Sequence, residues 1–315
     1  MLACARGAPR LSVRIAVTGA NSAVGQAVVR EAIASADVET VACVRSDRAA
    51  SQLPPIPESR GSVARIDFED PESLRRAFRG SAGVIHLPGI LIETRSTSYE
   101  SANVEALRCA IEAAHAEDVG KFVLVGAVGA DPSSANPYFR SKGLAEQLLL
   151  HSGLTYTVVR APLVLGAAAQ GSRAFARETS GGFVAVVGGG RSLEQPLDVR
   201  DLAAGALAAA VEIDRARDRV LDLVGPESVP MREILRRGAR LRGARIRIVP
   251  LPVRPVKALL ALIRRLAGAG LSPDVIDVMQ TDVRLDPQPA ARALGIELHE
   301  LDDTIRYSLE NVGME

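Results

Sequence analysis

Short, mainly apolar runs rich in β-branched residues alternate with longer helical stretches through the first half of the 315-residue chain. Strands that are apolar on both faces are typical of a parallel sheet covered by helices on both sides. The alternation therefore predicts an α/β fold with a doubly wound parallel sheet. The six predicted strands are RIAVTG (14–19), TVACVR (40–45), SVARIDF (62–68), GVIHL (83–87), KFVLVGA (121–127) and LTYTVVR (154–160).

Composition argues against several classes of partner. A net charge of +1 provides no excess positive charge for binding nucleic acid. Three cysteines without a common spacing, and four scattered histidines, argue against a disulfide framework or a metal site. We therefore predict a protein of the reducing cytoplasm, with no metal ion and no nucleic acid bound.

No segment approaches the roughly 20 apolar residues that are needed to cross a bilayer. The longest apolar runs, LAAGALAAAV (202–211) and ALLALI (258–263), are predicted to be buried helix faces. The first ten residues contain no apolar stretch of signal-peptide length, so residues 1–10 are predicted to be a disordered arm.

The segment TGANSAVG (18–25) leaves the first predicted strand and opens the first predicted helix. A turn at this place points backbone N–H groups and the positive end of the helix toward a phosphate. Gly19 permits the sharp exit from the strand, and Gly25 allows the helix to pack closely on it. In this context the spacing indicates a dinucleotide-binding turn, the alternative being a turn with only a packing role.

TGANSAVG resembles the TGxxGxxG fingerprint of the short-chain dehydrogenase/reductase superfamily, in its extended or atypical branch of epimerase/dehydratase-like and NmrA-like proteins. Three later segments, at 65–89, 103–131 and 136–162, resemble that branch in the same order. The resemblance covers residues 13 to about 225 in detail and implies a Rossmann fold that binds NAD(P).

Beyond residue 160 the alternation becomes irregular, which predicts a smaller C-terminal α+β lobe for the substrate. QPLDVRDLA (195–203) resembles the family's segment that returns to the main domain, and Asp198 and Asp201 are predicted to cap and orient a helix. The predicted division is a Rossmann domain at 11–165, a return to it at 195–226, and a substrate lobe at 166–194 and 227–315.

The resemblance also implies which residues bind the cofactor. Ser22 stands where the fingerprint has its middle glycine; its hydroxyl can donate to a phosphate, but its side chain adds bulk. Asp67 is expected to meet the adenine amino group, and the loop at 161–164 to face the nicotinamide. The implied cofactor-binding residues are Gly19, Asn21, Ser22, Ala23, Val24, Gly25, Arg45, Asp67, Phe68, Leu87, Pro88, Gly89, Lys142, Ala161, Pro162, Leu163 and Val164.

Arg45 ends the second predicted strand and Arg48 follows closely. An acidic residue at this strand end would hold the ribose 2′-hydroxyl of NAD, whereas the planar guanidinium suits a 2′-phosphate. NADP(H) is therefore favoured over NAD(H), although Asp47 carries the opposite charge. The alternative is that these are ordinary exposed arginines of an arginine-rich chain.

Tyr138 and Lys142 are the predicted catalytic residues. Lys142 is one of three lysines in the chain and follows one of its four tyrosines by four residues, so the two share a helix face. An ammonium can lower the pKa of a nearby phenol, which can then exchange a proton with a carbonyl or an alcohol. The YxxxK pair has these roles in the superfamily. The alternative is a solvated lysine beside a half-buried tyrosine.

The superfamily's serine or threonine at the end of the fifth strand is missing. Gly126 and Ala127 stand at the expected places, and a lost hydroxyl donor there would slow catalysis. Ser133 and Ser134, in the following loop, are candidates to substitute for it, although loop serines are usually turn formers.

Two classes of function follow from these features. The leading hypothesis is an NADPH-dependent reductase or dehydrogenase of an unknown carbonyl or alcohol, with nucleotide-sugar epimerases and dehydratases as close alternatives that use the same pair. The competing class is a non-catalytic NAD(P)H-binding sensor or assembly subunit, like the NmrA-type regulators and the accessory subunit of respiratory complex I. Ser22, Gly126 and Ala127 favour that second class.

The remaining partners stay open. A homodimer is one alternative, and attachment to a membrane surface through VKALLALIRRLAGAG (256–270) is another. Two arginines interrupt that segment, so packing within the lobe is the favoured interpretation.

Overall fold

The computed structural model describes residues 12–167, 172–267 and 272–310. The arm predicted at 1–10 lies outside the described residues. The strands, in chain order, are β1 (Val13–Thr18), β2 (Val38–Val44), β3 (Gly61–Arg65), β4 (Gly83–His86), β5 (Lys121–Ala127), β6 (Tyr156–Ala161), β7 (Val164–Leu165), β8 (Gly182–Val187), β9 (Leu193–Glu194), β10 (Leu197–Asp198), β11 (Arg219–Asp222), β12 (Val229–Pro230) and β13 (Ile246–Leu251).

Helices connect these strands and cover both faces of the sheet. They are α1 (Ala23–Ala34), α2 (Asp47–Ala50), α3 (Pro71–Phe78), α4 (Ala106–Ala116), α5 (Pro137–Leu150), α6 (Ser172–Glu178), α7 (Val199–Val211), α8 (Met231–Leu241), α9 (Val253–Ala267), α10 (Pro273–Met279), α11 (Gln288–Leu294) and α12 (Leu301–Glu310). A π-helical turn at Glu100–Glu105 leads into α4.

Seven strands form one parallel sheet in the order β11-β6-β5-β4-β1-β2-β3. The chain runs outward from β1 to β3 and then returns to β4 on the other side of β1. In open α/β sheets, ligands bind in the crevice at the carboxyl ends of the strands, at such a switch point. The predicted fold class, a Rossmann doubly wound parallel sheet, is confirmed.

The seventh strand, β11, was not predicted as a strand. Its four residues, RVLD, are too short and too polar at their ends to stand out in the sequence. The segment becomes a strand because it adds to the edge of the sheet, where it pairs with β6 in parallel. Pairing with a distant strand, rather than local propensity, determines this element.

Two apolar layers hold the helices on the sheet. On one face, α1 and α7 bury residues such as Val28 and Leu202 against β1 and β4. On the other face, α3, α4 and α5 bury residues such as Phe78, Leu107 and Leu149. Burial of such side chains contributes about 1.5–3 kcal/mol each, so these layers fix the positions of the helices that carry the candidate site.

The C-terminal lobe has a small core of its own, formed where α6, α8, α12 and short two-stranded sheets meet. Polar contacts join it to the main sheet. Asp198 caps α7 by accepting the backbone N–H of Arg200, as predicted, and Asp201 accepts hydrogen bonds from the backbone N–H and ring of His299. The buried carboxylate of Asp201 thus binds α7 to the segment before α12.

One predicted buried face is exposed. The run ALLALI lies on α9, where the exposed fractions are 57% for Leu259, 54% for Leu262 and 80% for Leu266. The inner face of α9 is formed by Val256, Leu260 and other residues at helical spacing. The prediction was wrong because apolar content alone does not reveal how much of a helix its neighbours cover.

None of the helices in the described part of the chain is long and apolar enough to span a bilayer.

Candidate functional site

A groove of about 600 Å³ lies at the carboxyl ends of the central strands, beside the switch point. Its lining combines the turn after β1 with the ends of β2, β3 and β4 and one side of α4. The predicted residues that line it are Gly19, Asn21, Ser22, Arg45, Asp67, Phe68, Leu87, Pro88 and Gly89. The size suits a dinucleotide, since ligand pockets usually span about 300–1,000 Å³.

The turn between β1 and α1 approaches its neighbours closely. Gly19 has a positive φ of 70°, which favours glycine. A Cβ on Gly25 would overlap the carbonyl oxygen of Gly19 and would lie 2.6 Å from the Cα atom of Ala20. Ser22 caps α1, because its hydroxyl oxygen accepts the backbone N–H of Gly25 at 3.0 Å. The hydroxyl proton of Ser22 is left available for an acceptor in the groove.

The remaining predicted cofactor residues do not line the groove. Ala23, Val24 and Gly25 form the first turn of α1 behind it. The loop Ala161, Pro162, Leu163 and Val164 lies beyond β6, where the carbonyl of Leu163 accepts the backbone N–H of Leu197. This loop stands beside the end of β5, since Ala161 is in register with Ala127.

Tyr138 and Lys142 occupy consecutive turns of α5 on one face, as predicted. Lys142 reaches the end of the groove: a Cβ on Gly89 would lie 2.5 Å from the Nζ atom of Lys142. Tyr138 packs its ring edge-on against Tyr99, with 6.0 Å between the ring centroids. The structure therefore brings the ammonium to the groove and sets the phenol one turn farther along the helix.

The pKa expected for Tyr138 was wrong. Burial raises the pKa of Tyr138 to about 12, and the neighbouring Tyr99 raises it further, while Lys142 does not lower it. Burial also lowers the pKa of Lys142 to about 8, opposed by the charge of Glu146. Tyr138 is therefore a neutral phenol at ordinary pH, and Lys142 loses its charge as the pH rises through about 8.

Glu146 occupies the next turn of the same helix face and is 4% exposed. Its carboxylate accepts three hydrogen bonds from Arg160 of β6, at 2.6–3.0 Å. A Cβ on Gly126 would lie 2.6 Å from a carboxylate oxygen of Glu146. Glycine at 126 therefore leaves the space that Glu146 fills, whereas the side chain of Ala127 lies on the opposite face of β5.

The two loop serines are engaged elsewhere. Ser133 donates its hydroxyl to the carboxylate of Asp131 at 2.7 Å, and the hydroxyl oxygen of Ser134 accepts the backbone N–H of Asn136. Asn136 in turn caps α5. These contacts are those of turn and cap residues: Asp131 engages the hydroxyl proton of Ser133, whereas Ser134 only accepts a hydrogen bond.

Two further polar residues at this end of the groove were missed by the sequence analysis. Asn103 is buried; it accepts the backbone N–H of Ile90 at 2.9 Å and donates to Ser141 of α5 at 2.8 Å. His86, at the end of β4, is also buried, and burial with the charge of Lys142 lowers its pKa to about 3. The signal for His86 was a polar residue ending a buried strand; Asn103, on the π-helical turn, left no signal in the sequence.

A second pocket of about 440 Å³ adjoins the groove beside the carboxyl end of β2 and shares Asn21 and Arg45 with it. We call it the arginine pocket; it is lined by Asn21, Arg45, Ser46, Arg48, Ala49 and Gln52. Asp47 is 93% exposed at its side chain and turns toward Arg65, with 3.6 Å between their charged atoms. The charge that opposed a phosphate in the sequence thus lies outside this pocket.

Together these features fit a dinucleotide. Backbone close enough to exclude a Cβ lines one end of the groove, where a phosphate could bind, and the ammonium of the half-buried Lys142 lies at its other end. Across the described ranges, no cluster of three or more His, Cys, Asp or Glu side chains is placed to hold a metal ion.

Comparison with known proteins is consistent with this site. A family described as NAD(P)H-binding matches residues 19–185. The chain is 28% identical over 178 residues to the NADH dehydrogenase [ubiquinone] 1 alpha subcomplex subunit 9 of Arabidopsis thaliana, covering 55% of this chain and 44% of that protein. It is 25% identical over 235 residues to the uncharacterized sugar epimerase YhfK of Bacillus subtilis, covering 71% of this chain and all of that one.

A solved structure of the triphenylmethane reductase of Citrobacter sp., complexed with NADP(H), has the same fold. The TM-score is 0.71 at 20% identity, with 94% of this chain and 100% of that chain covered. The chain spans less than half the length of the Arabidopsis protein, so the likeness to that protein concerns only the shared part. With more than half of its residues inside the family match, the chain belongs to the NAD(P)H-binding family, in the extended or atypical branch of the short-chain dehydrogenase/reductase superfamily.

Proposed function

We propose that this protein is an NADP(H)-dependent oxidoreductase that interconverts a carbonyl compound and an alcohol. The observation that carries the proposal is the position of Lys142, whose ammonium lies against Gly89 at the end of the groove with Tyr138 one turn away. A reduced nicotinamide bound there would supply a hydride. Tyr138 would exchange the proton and Lys142 would hold the nicotinamide ribose.

The protonation states suit the direction of reduction. A phenol with a pKa of about 12 stays protonated at neutral pH, so Tyr138 can donate a proton to a carbonyl oxygen. Because Ala127 offers no hydroxyl to orient the carbonyl, we expect a modest turnover rate.

The alternatives remain proposals of the same site. The Arabidopsis relative is named as a subunit of NADH dehydrogenase, which supports a non-catalytic dinucleotide-binding role, and the Bacillus relative is named as a sugar epimerase. Turnover separates them: a panel of aldehydes and ketones should oxidise NADPH in the presence of the protein. Epimerisation of a nucleotide sugar without net NADPH oxidation would show that the protein is an epimerase. Binding of NADPH without turnover of any substrate would show that it is a non-catalytic binding protein.

We infer that NADP(H) is preferred over NAD(H). Arg45 and Arg48 are exposed in the arginine pocket, and neither guanidinium has an ion-pair partner among the described residues. Asp47 is directed toward Arg65 and so does not repel a phosphate there. A 2′-phosphate in this pocket would receive charge-assisted hydrogen bonds from both arginines.

Replacing both Arg45 and Arg48 by alanine should therefore weaken NADPH selectively. We expect the dissociation constant of NADPH to rise about 100-fold, or about tenfold for each lost phosphate contact, with that of NADH nearly unchanged. Thermal-shift titration with NADPH, NADP, NADH and NAD measures this, and Arg79→Ala, an exposed arginine outside both pockets, is the control. Tighter binding of NADH than NADPH by the wild type would contradict the inference.

We also propose that the protein attaches to the surface of an anionic membrane through α9. Leu259, Leu262, Ile263 and Leu266 recur at helical spacing on its exposed face. Arg254 and Arg265 flank them, exposed and without an ion pair in the described ranges. An apolar face beside basic residues is the pattern of helices that lie in a bilayer interface.

The double variant Leu262→Glu/Leu266→Glu tests this attachment. Each leucine is worth roughly 1.5–3 kcal/mol when buried, so vesicle binding should fall more than tenfold. Cosedimentation with phosphatidylcholine vesicles, with and without phosphatidylglycerol, is the measurement, and Ile213→Glu/Leu241→Glu is a control at other exposed apolar sites. If the wild type ignores vesicles but forms a dimer that the α9 variant dissociates, a second copy covers this face instead.

The cytoplasmic location also stays a proposal. Cys43 and Cys109 are free thiols, and burial raises the pKa of Cys43 to about 12, which keeps it unreactive. Such thiols suit a reducing compartment.

A further inference from the structure

Glu146 is a buried carboxylate for which the proposed mechanism has no use. Its position is nevertheless closely controlled: Arg160 donates three hydrogen bonds to it, and the missing side chain of Gly126 leaves it room. Arg160 is anchored in turn to the carbonyl of Ala130 at 3.3 Å and faces Asp222 at 3.9 Å. Arg160 and the space left by Gly126 thus hold the carboxylate of Glu146 on the same face of α5 as Tyr138 and Lys142.

Lys142 lies one helical turn from this carboxylate and needs a negative charge nearby. Its ammonium makes no hydrogen bond and no ion pair within the described residues, and burial disfavours its charged form. The groups that face it are His86 from β4, which stays neutral, Asn103 from the π-helical turn, which is an amide, and Tyr138 on its own helix. Glu146 is the one anion among the described groups that acts on it.

We infer that Glu146 is a positioning residue that keeps the ammonium of Lys142 charged at the end of the groove. It acts through space from the next turn of α5, because all of its hydrogen bonds go to Arg160. Burial raises the pKa of Glu146, and the hydrogen bonds and charge of Arg160 oppose that rise and hold the carboxylate in place. Gly126 contributes to the same arrangement, because a larger residue there would displace the carboxylate of Glu146.

The three lysines of the chain make this testable without measuring activity. Labelling with [ε-¹³C]lysine produces three signals, from Lys121, Lys142 and Lys257, and Lys142→Arg identifies the one of interest. In Glu146→Gln we expect the titration midpoint of Lys142 to fall by about one pH unit, as for the loss of a nearby opposite charge. Glu146→Asp should keep most of the wild-type midpoint, and Asp222→Asn, on the far side of Arg160, should not change it.

A second variant separates the proposed role from the unpaired arginine that Glu146→Gln leaves behind. Glu146→Gln/Arg160→Met removes both charges and avoids a buried unpaired guanidinium, which protects folding. The midpoint of Lys142 should still fall in this double variant. A midpoint that stays at, or returns to, the wild-type value would overturn the inference, because the effect would then come from Arg160 alone.

The consequence for catalysis rests on the proposed function, whereas the titration does not. If the protein is the oxidoreductase proposed above, the alkaline limb of kcat/KM should move to lower pH in Glu146→Gln by the same amount as the midpoint. A midpoint shift in a protein without turnover would retain the role of Glu146 and reject the oxidoreductase. Turnover of a carbonyl substrate with an unchanged titration midpoint of Lys142 would retain the oxidoreductase and reject the role of Glu146.

Discussion

Tyr138→Phe should lose turnover by roughly 100- to 10,000-fold while still binding NADPH, because general acid catalysis contributes that much and phenylalanine has no proton to donate. Tyr138 does not line the groove, so the affinity for the dinucleotide should stay within about threefold of wild type. The phenol makes no hydrogen bond among the described residues, and its ring contacts with Tyr99 and Phe139 remain in the variant. Stability should therefore change little.

Steady-state rates with a carbonyl substrate, measured across pH, check this prediction. In the wild type, kcat/KM should decline as the pH rises through about 8, since Lys142 then loses its proton, while Tyr138 stays protonated until about 12. The matched control is Tyr156→Phe, which should keep the wild-type rate. Tyr156 is the first residue of β6 and lies away from the carboxyl ends of the strands, where the groove is. A Tyr138→Phe variant with the wild-type rate would show that the proposed mechanism is wrong.

Gly25→Ala should abolish dinucleotide binding and lower the thermal stability of the chain. The new Cβ would overlap the carbonyl of Gly19 and the backbone of Ala20, so the conflict involves rigid backbone that no side-chain rotation can relieve. Overpacking of this kind costs about 1–3 kcal/mol, and several degrees in Tm. The first turn of α1 would shift from β1, which deforms the wall of the groove formed by Gly19, Asn21 and Ser22.

Gly80→Ala separates the loss of binding from the loss of stability. Gly80 has a positive φ of 71° and nothing within 4 Å of an added Cβ, so alanine there costs about 1–2 kcal/mol of backbone strain without touching the groove. Thermal unfolding with and without NADPH should show both variants destabilised and only Gly80→Ala stabilised by the ligand. NADPH stabilisation of Gly25→Ala comparable to that of Gly80→Ala would contradict the role given to the turn.

Much of the fold could be predicted because its signals are local. The glycine turn, the apolar strands and the first-turn proline of α3 each lie within a few residues, and these elements form where expected. The pairing of β11 with β6 depends on contacts between residues about 60 positions apart. No local pattern carries that information, so β11 could not be anticipated.

The residue types of the candidate site could be predicted from the sequence, but the pKa values of its side chains could not. Tyr138 and Lys142 could be identified from their spacing, and Glu146 continues the same spacing by one more turn, a signal that the sequence already contained. The pKa of Tyr138 could not be anticipated, because it depends on Tyr99 and on the elements that bury both rings. The exposed leucines of α9 are a similar case, since their apolar character says nothing about which neighbours cover them.

The amino-acid sequence by itself determined the parallel α/β architecture, the dinucleotide turn and the helix face that carries Tyr138 and Lys142, because helix and strand periodicity and glycine spacing act over short distances. The tertiary structure decided that Gly126 makes room for Glu146, that Asp47 turns away from the arginine pocket, and that α9 is left exposed. Burial and charge proximity arise only when distant segments meet, and they set the protonation states on which the proposed chemistry depends.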